Sequence, residues 1–287
     1  MYLLKISPSY LEGFRPYIPA NLLGNLTDPR YTYVGCVWDG LACGAAVSEA
    51  GADGTAVVRS ILVDEKARRR GCGTALMKGL AKTAAQSGAS KMRIYYALGF
   101  SEQLVLESFL KSCGFYGFAN VSTLFTCRLG DLRRSEFVKK YLPFARRFSG
   151  LVPIRDVPPR RLDEMLAARE REIPEYLGLD AVAFDPDVSF IAARDGRLEG
   201  YILAGENGGG VEISSAVVFG APSMVSGVFP ALVSACLNAL FSRYDDEKWI
   251  VVDSVNNTVT GMARNAVAGI PHQIIQGKEA YLSLGSI

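Results

Sequence analysis

The 287-residue chain contains one histidine, His272. That excludes a zinc centre built on a histidine cluster and argues against a Ser-His triad. Cysteine is used sparingly and without pattern. Cys36, Cys43, Cys72, Cys113, Cys127 and Cys236 form no C-x-x-C pair and show no metal-ligand spacing. They read as reduced, mostly buried apolar residues of a cytoplasmic protein, and no metal is expected. No run is apolar enough to span a bilayer, and Met1–Pro8 lacks the long apolar core of a signal peptide, so no membrane partner is expected. A dominant charge is missing too: 31 Lys and Arg stand against 29 Asp and Glu.

The charge that is present is unevenly placed. Residues 1–150 hold 20 basic and 11 acidic side chains, a net of +9, and residues 151–287 hold 11 and 18, a net of −7. Aromatic residues are not interleaved with the positive charges, which disfavours nucleic acid and leaves a small polyanion as the expected ligand of the basic half. Within that half, Arg68-Arg69-Arg70-Gly71-Cys72-Gly73-Thr74 follows a β-like run, Ala56–Val63, and precedes a helix-like run from Ala75 to Ala85. An R-x-x-G-x-G turn at a strand-to-helix junction gathers free backbone N–H groups at the positive end of the helix dipole. Gly71 and Gly73 permit close backbone approach, Thr74 offers a hydroxyl, and Lys66 and the three arginines add charge. This is the chemistry of a phosphate or pyrophosphate seat.

The surrounding pattern is that of an α/β fold with a mostly covered sheet. Tyr31–Trp38 and Leu41–Ser48 are strand-like around Asp39-Gly40, a two-residue hairpin signal. Gly54–Val63 is the next strand, and Ala75–Gln86 is an amphipathic helix stopped by Ser87-Gly88. Lys91–Ala97 reads as a strand, Glu102–Ser112 as a helix ending at Cys113-Gly114-Phe115, and Gly117–Leu129 as one or two strands. Asp131–Phe148 is basic and reads as a solvated connecting helix broken near Pro143.

At a fixed offset of 156 residues the pattern recurs. Asp39-Gly40 falls on Asp195-Gly196, Gly44 on Gly200, Gly54 on Gly210, and Ser60–Val63 on Ala216–Phe219. Gly71–Leu76 falls on Gly227–Leu232, and Arg93-Ile94 on Trp249-Ile250. The reading is a gapless duplication. The copy has lost its anion chemistry. Arg68, Arg69 and Arg70 become Met224, Val225 and Ser226, Gly73 becomes Phe229, and Thr74 becomes Pro230, which has no N–H to donate.

Residues 1–130 resemble the GNAT family of acetyl-CoA-dependent N-acetyltransferases. The resemblance rests on the R-x-x-G-x-G loop after a strand. It rests also on Phe109–Phe115, similar to the family's aromatic-Tyr-x-x-x-Gly-Phe element. The whole chain looks like a tandem GNAT protein with a degenerate second copy. That resemblance implies two mixed, mostly antiparallel sheets flanked by helices, with a domain over 1–130, a basic linker helix over 131–152 and a second domain over 153–287. It implies acetyl-CoA as co-substrate, held by Leu62, Val63, Arg68, Arg69, Arg70, Gly71, Cys72, Gly73 and Thr74, with Lys78 or Lys82 near a further phosphate. The implied acceptor is a small-molecule or protein amine that would attack the thioester directly, and a homodimer is the assembly to expect if the chain associates. The acidic second half hints at a cationic acceptor such as a polyamine or an aminoglycoside-like amine. The catalytic groups are not identified. The tyrosine that protonates the leaving thiolate in the family would stand at Leu110, and the strand before the loop offers Arg59 and Ser60 where many members carry a carboxylate. Glu49, Tyr95, Tyr96 and Tyr116 are the nearby candidates, each with an ordinary structural reading beside the catalytic one. A non-catalytic acyl-CoA-binding or regulatory module stands as the alternative.

Overall fold

The computed structural model describes the chain apart from residues 52, 170, 172, 174–183, 208, 221–226, 256 and 286–287. It divides into one unit of Met1–Val121 with Gln276–Ile287 and a second of Ser122–Ile275.

In the first unit, apolar runs with turn residues between them form β1 (Tyr2–Lys5), β2 (Tyr31–Trp38), β3 (Leu41–Ala50), β4 (Thr55–Val63) and β5 (Lys91–Ala97). Two short helices, α1 (Leu11–Phe14) and α2 (Ala20–Leu23), precede β2; α3 (Cys72–Gln86) joins β4 to β5, and α4 (Phe100–Ser112) follows β5. The β2–β3 turn has Asp39 at φ +52° and Gly40 at φ +77°, the two left-handed conformations of a type I′ hairpin. Val34, Ala46, Val58, Met92 and Ile94 pack one face of the sheet against Leu76, Met77 and Leu80 of α3. Tyr33, Ala45 and Val47 pack the other face against Phe14, Ile18 and Leu22. Strand order is β1-β2-β3-β4-β5, and the sixth place is taken by the chain's last strand, β12 (His272–Ser283). It runs antiparallel to β5 from Gly277↔Ala97 to Ser283↔Lys91.

The second unit repeats this order. Its strands are the distal part of β6 (Tyr116–Arg128), then β7 (Leu151–Pro153), β8 (Phe190–Arg194), β9 (Arg197–Asn207), β10 (Gly210–Val218) and β11 (Trp249–Ser254). Its helices are α5 (Leu129–Arg134), α6 (Glu136–Tyr141), α7 (Pro159–Ala167), α8 (Val228–Arg243) and α9 (Asn257–Val267). β6 pairs antiparallel with β11 from Thr123↔Ser254 to Arg128↔Trp249. Each unit's sheet is thus completed by a strand that adjoins the other copy in sequence, which places the boundary at Val121 rather than 130 and assigns residues 276–287 to the first unit. The basic segment 131–148 is not a solvated linker: Leu132 and Val138 are buried in the second unit's core with Ile250 and Leu240. It breaks at Ser135, whose hydroxyl caps α6 by accepting from the Val138 amide at 3.2 Å, and again near Pro143, where α6 gives way to a 3-10 helix over Leu142–Arg147.

The duplication is legible in backbone detail. Asp195 and Gly196 repeat the hairpin at φ +50° and +77°, and Gly227 opens α8 at φ +75° as Gly71 opens α3 at φ +83°. The register departs from a gapless copy. In the first unit Val47 pairs with Ser60 and Ser48 with Val58, leaving Arg59 in a β-bulge. In the second, Leu203 pairs with Ser215 and Ala204 with Ile213, leaving Ser214 in the equivalent bulge. β9 follows β3 at 156 residues, but β10 follows β4 at 155, because Ala50↔Ala56 encloses five residues and Glu206↔Val211 four. Ser60–Val63 therefore corresponds to Ser215–Val218, not to Ala216–Phe219.

Candidate active site

β4 runs parallel to β5 over Thr55–Val58, paired with Lys91–Ile94, and among the described residues the pairing stops there. From Arg59 to Val63 the β5-facing edge of β4 lines an opening. Leu62, 42% exposed, lies along it. After Val63 comes a 3-10 turn, Glu65–Ala67, capped by Asp64, whose carboxylate accepts from the Lys66 amide at 2.9 Å. The chain then rises into α3 through two left-handed residues, Arg69 at φ +61° and Gly71 at φ +83°. A non-glycine residue held there carries strain of order 1–3 kcal/mol, a cost typical of functional turns. The first amides of α3 have no partner within the helix and face the same point.

The opening is a cleft of about 1020 Å³. Its lining on one side is Ile61, Leu62, Val63, Arg68, Arg69, Gly71, Gly73 and Thr74, and on the other the face of α4 that carries Glu102, Val105, Ser108, Phe109 and Ser112. Not all residues of the loop face it. The Arg70 guanidinium lies 4.1 Å from the centroid of the Trp38 ring, a cation–π contact that turns it elsewhere. Arg68 donates from Nε to the Val63 carbonyl at 3.2 Å. Cys72 is buried beneath the turn with its Sγ 3.9 Å from that of Cys43, so it presents only its amide to the cleft side. Gly73 meets a second requirement: a Cβ there would lie 3.2 Å from Cε2 of Phe109.

The catalytic candidates read from the sequence are not assembled in this cleft. Leu110, at the position of the expected tyrosine, is wholly buried in the core with Leu76 and Met92. Tyr96 is buried, its hydroxyl donates to Glu107 Oε1 at 3.2 Å, and burial followed by the Glu107 charge pushes its pKa up. Tyr116 is exposed on β6 and Tyr95 on β5. Glu49 is tied to Arg59, with Nη2 2.6 Å from Oε2.

A buried acid, Glu107, carries no periodic signal that marks it in the sequence. Its carboxylate accepts from Lys278 at 2.9 Å, from Gln103 at 2.9 Å and from Tyr96 at 3.2 Å. The Lys278 hydrogen bond chiefly, then its charge and the two neutral donors, hold the Glu107 carboxyl below its ordinary value against the opposing pull of desolvation. A lowered carboxylate pKa adds stability that is complete at neutral pH and fades as pH falls through the lowered value. Glu107→Gln is expected to cost about 1.5–3 kcal/mol at pH 7, the range for a hydrogen bond to a charged group. Urea unfolding at pH 7 and pH 3 is the check: the difference between the two proteins should shrink at the lower pH.

Residues 3–115 match the model of the Acetyltransferase (GNAT) family. Their fold is that of the family. Among solved structures, a tandem GNAT protein from the clavulanic acid biosynthesis pathway is 16% identical, with 99% of this chain and 98% of that one covered and a TM-score of 0.68. A GCN5-related N-acetyltransferase from Kribbella flavida is 17% identical, covering 99% of this chain and 71% of that one, with a TM-score of 0.52. The glucosamine N-acetyltransferase region of a fungal multi-domain GH3 β-N-acetylglucosaminidase is 11% identical, covering 98% of this chain and 38% of that one, with a TM-score of 0.68. At these identities the likeness is one of fold, and it extends the tandem GNAT arrangement over the full chain. No curated relative matches the sequence. Among the described residues, no helix is long and apolar enough to cross a membrane.

Proposed function

We propose that the protein is an N-acetyltransferase whose first GNAT unit holds acetyl-CoA and whose second holds none. The observation that carries the reading is the parting of β4 from β5 after Val58, directly upstream of the left-handed turn that opens α3. The residues present fit the group. Amides from Arg69 to Thr74 meet a pyrophosphate, Arg68 and Arg69 balance its charge, and the Leu62 and Val63 backbone pairs with pantetheine amides as a missing strand would. Acetyl-CoA supplies the activated thioester. The chain's own contribution is to hold that thioester beside the strand edge and orient an incoming neutral amine, which accounts for much of the rate in such a transfer.

The second unit supports the division of labour. Its strands part at the equivalent residue, Ile213. There the space is an apolar cavity of about 80 Å³ lined by Ile213, Phe229, Val252 and Met262 among others. Phe229 stands where Gly73 stands in the first unit, and Pro230 replaces the Thr74 amide donor. The loop residues Met224, Val225 and Ser226 lie outside the described residues.

Acetyl-CoA at a hundred times its dissociation constant is expected to stabilise the protein by about 2.7 kcal/mol. Differential scanning fluorimetry reads this as a raised thermal midpoint. Release of free CoA thiol across a broad amine panel then separates transfer from binding. A second reading, a non-catalytic acyl-CoA-binding module, is favoured by the burial of Leu110 at the proton donor's place. Binding with no thiol release for any amine would establish it, and no midpoint shift would end both.

A further inference from the structure

We propose that the acceptor is an amino acid whose carboxylate is held by Arg59 while its amine is presented to the thioester. This rests on the reading of the first unit as an acetyltransferase and adds the class of its acceptor.

Arg59 occupies the bulge of β4, the first residue beyond the last β4–β5 pair. A bulge bends a strand and re-aims the side chain of the extra residue. Val58 and Ile94 point into the core shared with α3. Alternation along β5 sends Tyr95 to the opposite face, and the bulged Arg59 reaches that face through Glu49, two residues along β3 from Val47, which packs there. Both are substantially exposed there, Arg59 with 49% of its side chain accessible and Tyr95 at 42%. Ile61, the innermost strand residue of the cleft, is two positions along β4, roughly 7 Å at ordinary strand rise. A group bound at Arg59 is thus within one small molecule's length of the cleft's inner end, on the face away from α3.

The charges at this point suit a molecule bearing both signs. Arg59 donates from Nε to Oε2 of Glu49 at 2.7 Å, and its Nη2 lies 2.6 Å from that same oxygen. Among the described residues its Nη1 edge meets no acceptor. The other Glu49 oxygen, Oε1, has Arg30 Nη1 at 3.9 Å, and burial followed by the Glu49 charge pushes the Tyr31 hydroxyl's pKa up. A guanidinium with an open edge takes a carboxylate in a charge-assisted pair, and Glu49 beside it takes an ammonium before proton loss. An amino acid carries both groups a few atoms apart. A polyamine finds one acid here flanked by two guanidinium groups, which disfavours the cationic acceptor hinted at by the second unit's charge. The second unit keeps the bulge but fills it with Ser214, whose hydroxyl donates to the Leu203 carbonyl at 3.4 Å. The bulge belongs to the fold, and the guanidinium belongs to the unit that retains the phosphate seat.

The test pairs each amino acid with its decarboxylated amine. In a thiol-release assay, amino acids are expected to exceed their amines at least tenfold in kcat/KM. Arg59→Gln should cancel that advantage about 10- to 100-fold, chiefly through KM, the range of a lost charged hydrogen bond. Arg59→Lys should recover part of it, and the unliganded thermal midpoint shows that the variants fold. Calorimetry on CoA-saturated protein reads acceptor binding without turnover. Amino-acid binding that is lost in Arg59→Gln, in a protein that transfers nothing, would refute the enzyme and keep the site. Equal binding and equal turnover of amino acids and their amines, or a preference unchanged in Arg59→Gln, overturns the proposal.

Discussion

A chain ending at Pro271 is expected to lose acetyl-CoA binding altogether, although the whole family match ends at residue 115. The first unit's sheet is completed by β12, and without it β5 becomes a bare edge along Lys91–Ala97. Ala280 and Leu284 are buried in the same core as Leu76, Leu80 and Ile94, and Leu282 packs against it. Lys278 would be gone from Glu107, leaving the buried carboxylate its two neutral donors and only the longer, more exposed contact to Lys111 at 3.9 Å. Fully burying a single leucine is worth about 1.5–3 kcal/mol, and breaking a buried ion pair by removing one partner costs about 3–5 kcal/mol. Together these losses match the whole stability of an ordinary domain, roughly 5–15 kcal/mol. The shorter chain 1–130, which ends where the resemblance ends, lacks the same strand and should fail in the same way. Fluorimetry with and without acetyl-CoA, with amide hydrogen exchange on β5, is the measurement. An unchanged ligand-induced midpoint shift in residues 1–271 would show that β12 is dispensable.

Reversing the two cleft arginines, Arg68→Glu with Arg69→Glu, is expected to weaken acetyl-CoA binding by 100-fold or more. Each lost charge-assisted contact to a phosphate is worth about 1.5–3 kcal/mol, and each reversal adds repulsion at a short distance. The unliganded protein should unfold within about 0.5 kcal/mol of the parent, as surface substitutions usually do. Arg68 is exposed, as is its hydrogen bond to the Val63 carbonyl, and its carboxylate partner Glu65 is itself exposed, a pair worth little. Arg70→Glu should behave differently, because its guanidinium stacks on Trp38 and its loss reaches the turn's packing. Isothermal titration at low and raised salt checks both claims: the parent's affinity should fall with ionic strength more steeply than the double variant's. Equal affinity in parent and double variant would place the phosphates elsewhere.

The sequence alone was enough for the features that a few neighbouring residues encode. Asp39-Gly40 specified a type I′ turn because both positions need left-handed backbone, and Asp195-Gly196 specified it again. Gly71 before α3 and Gly227 before α8 marked the same strand-to-helix corner for the same reason. Apolar periodicity placed the principal strands and helices of the first unit within a few residues. What the tertiary structure decided was every choice among equivalent long-range partners. β12 and β6 are apolar strands of the kind either sheet accepts, and their sequence neighbours did not reveal that β12 completes the first unit and β6 the second. The one-residue shift of β10 relative to β4 was equally hidden, because a strand's register is set by which face it buries against distant residues and not by its own composition. The same cause hid the roles of single side chains: whether Leu110 and Tyr96 turn inward, or Arg59 outward on its bulge, depends on a half-turn of backbone that only the packed sheet imposes.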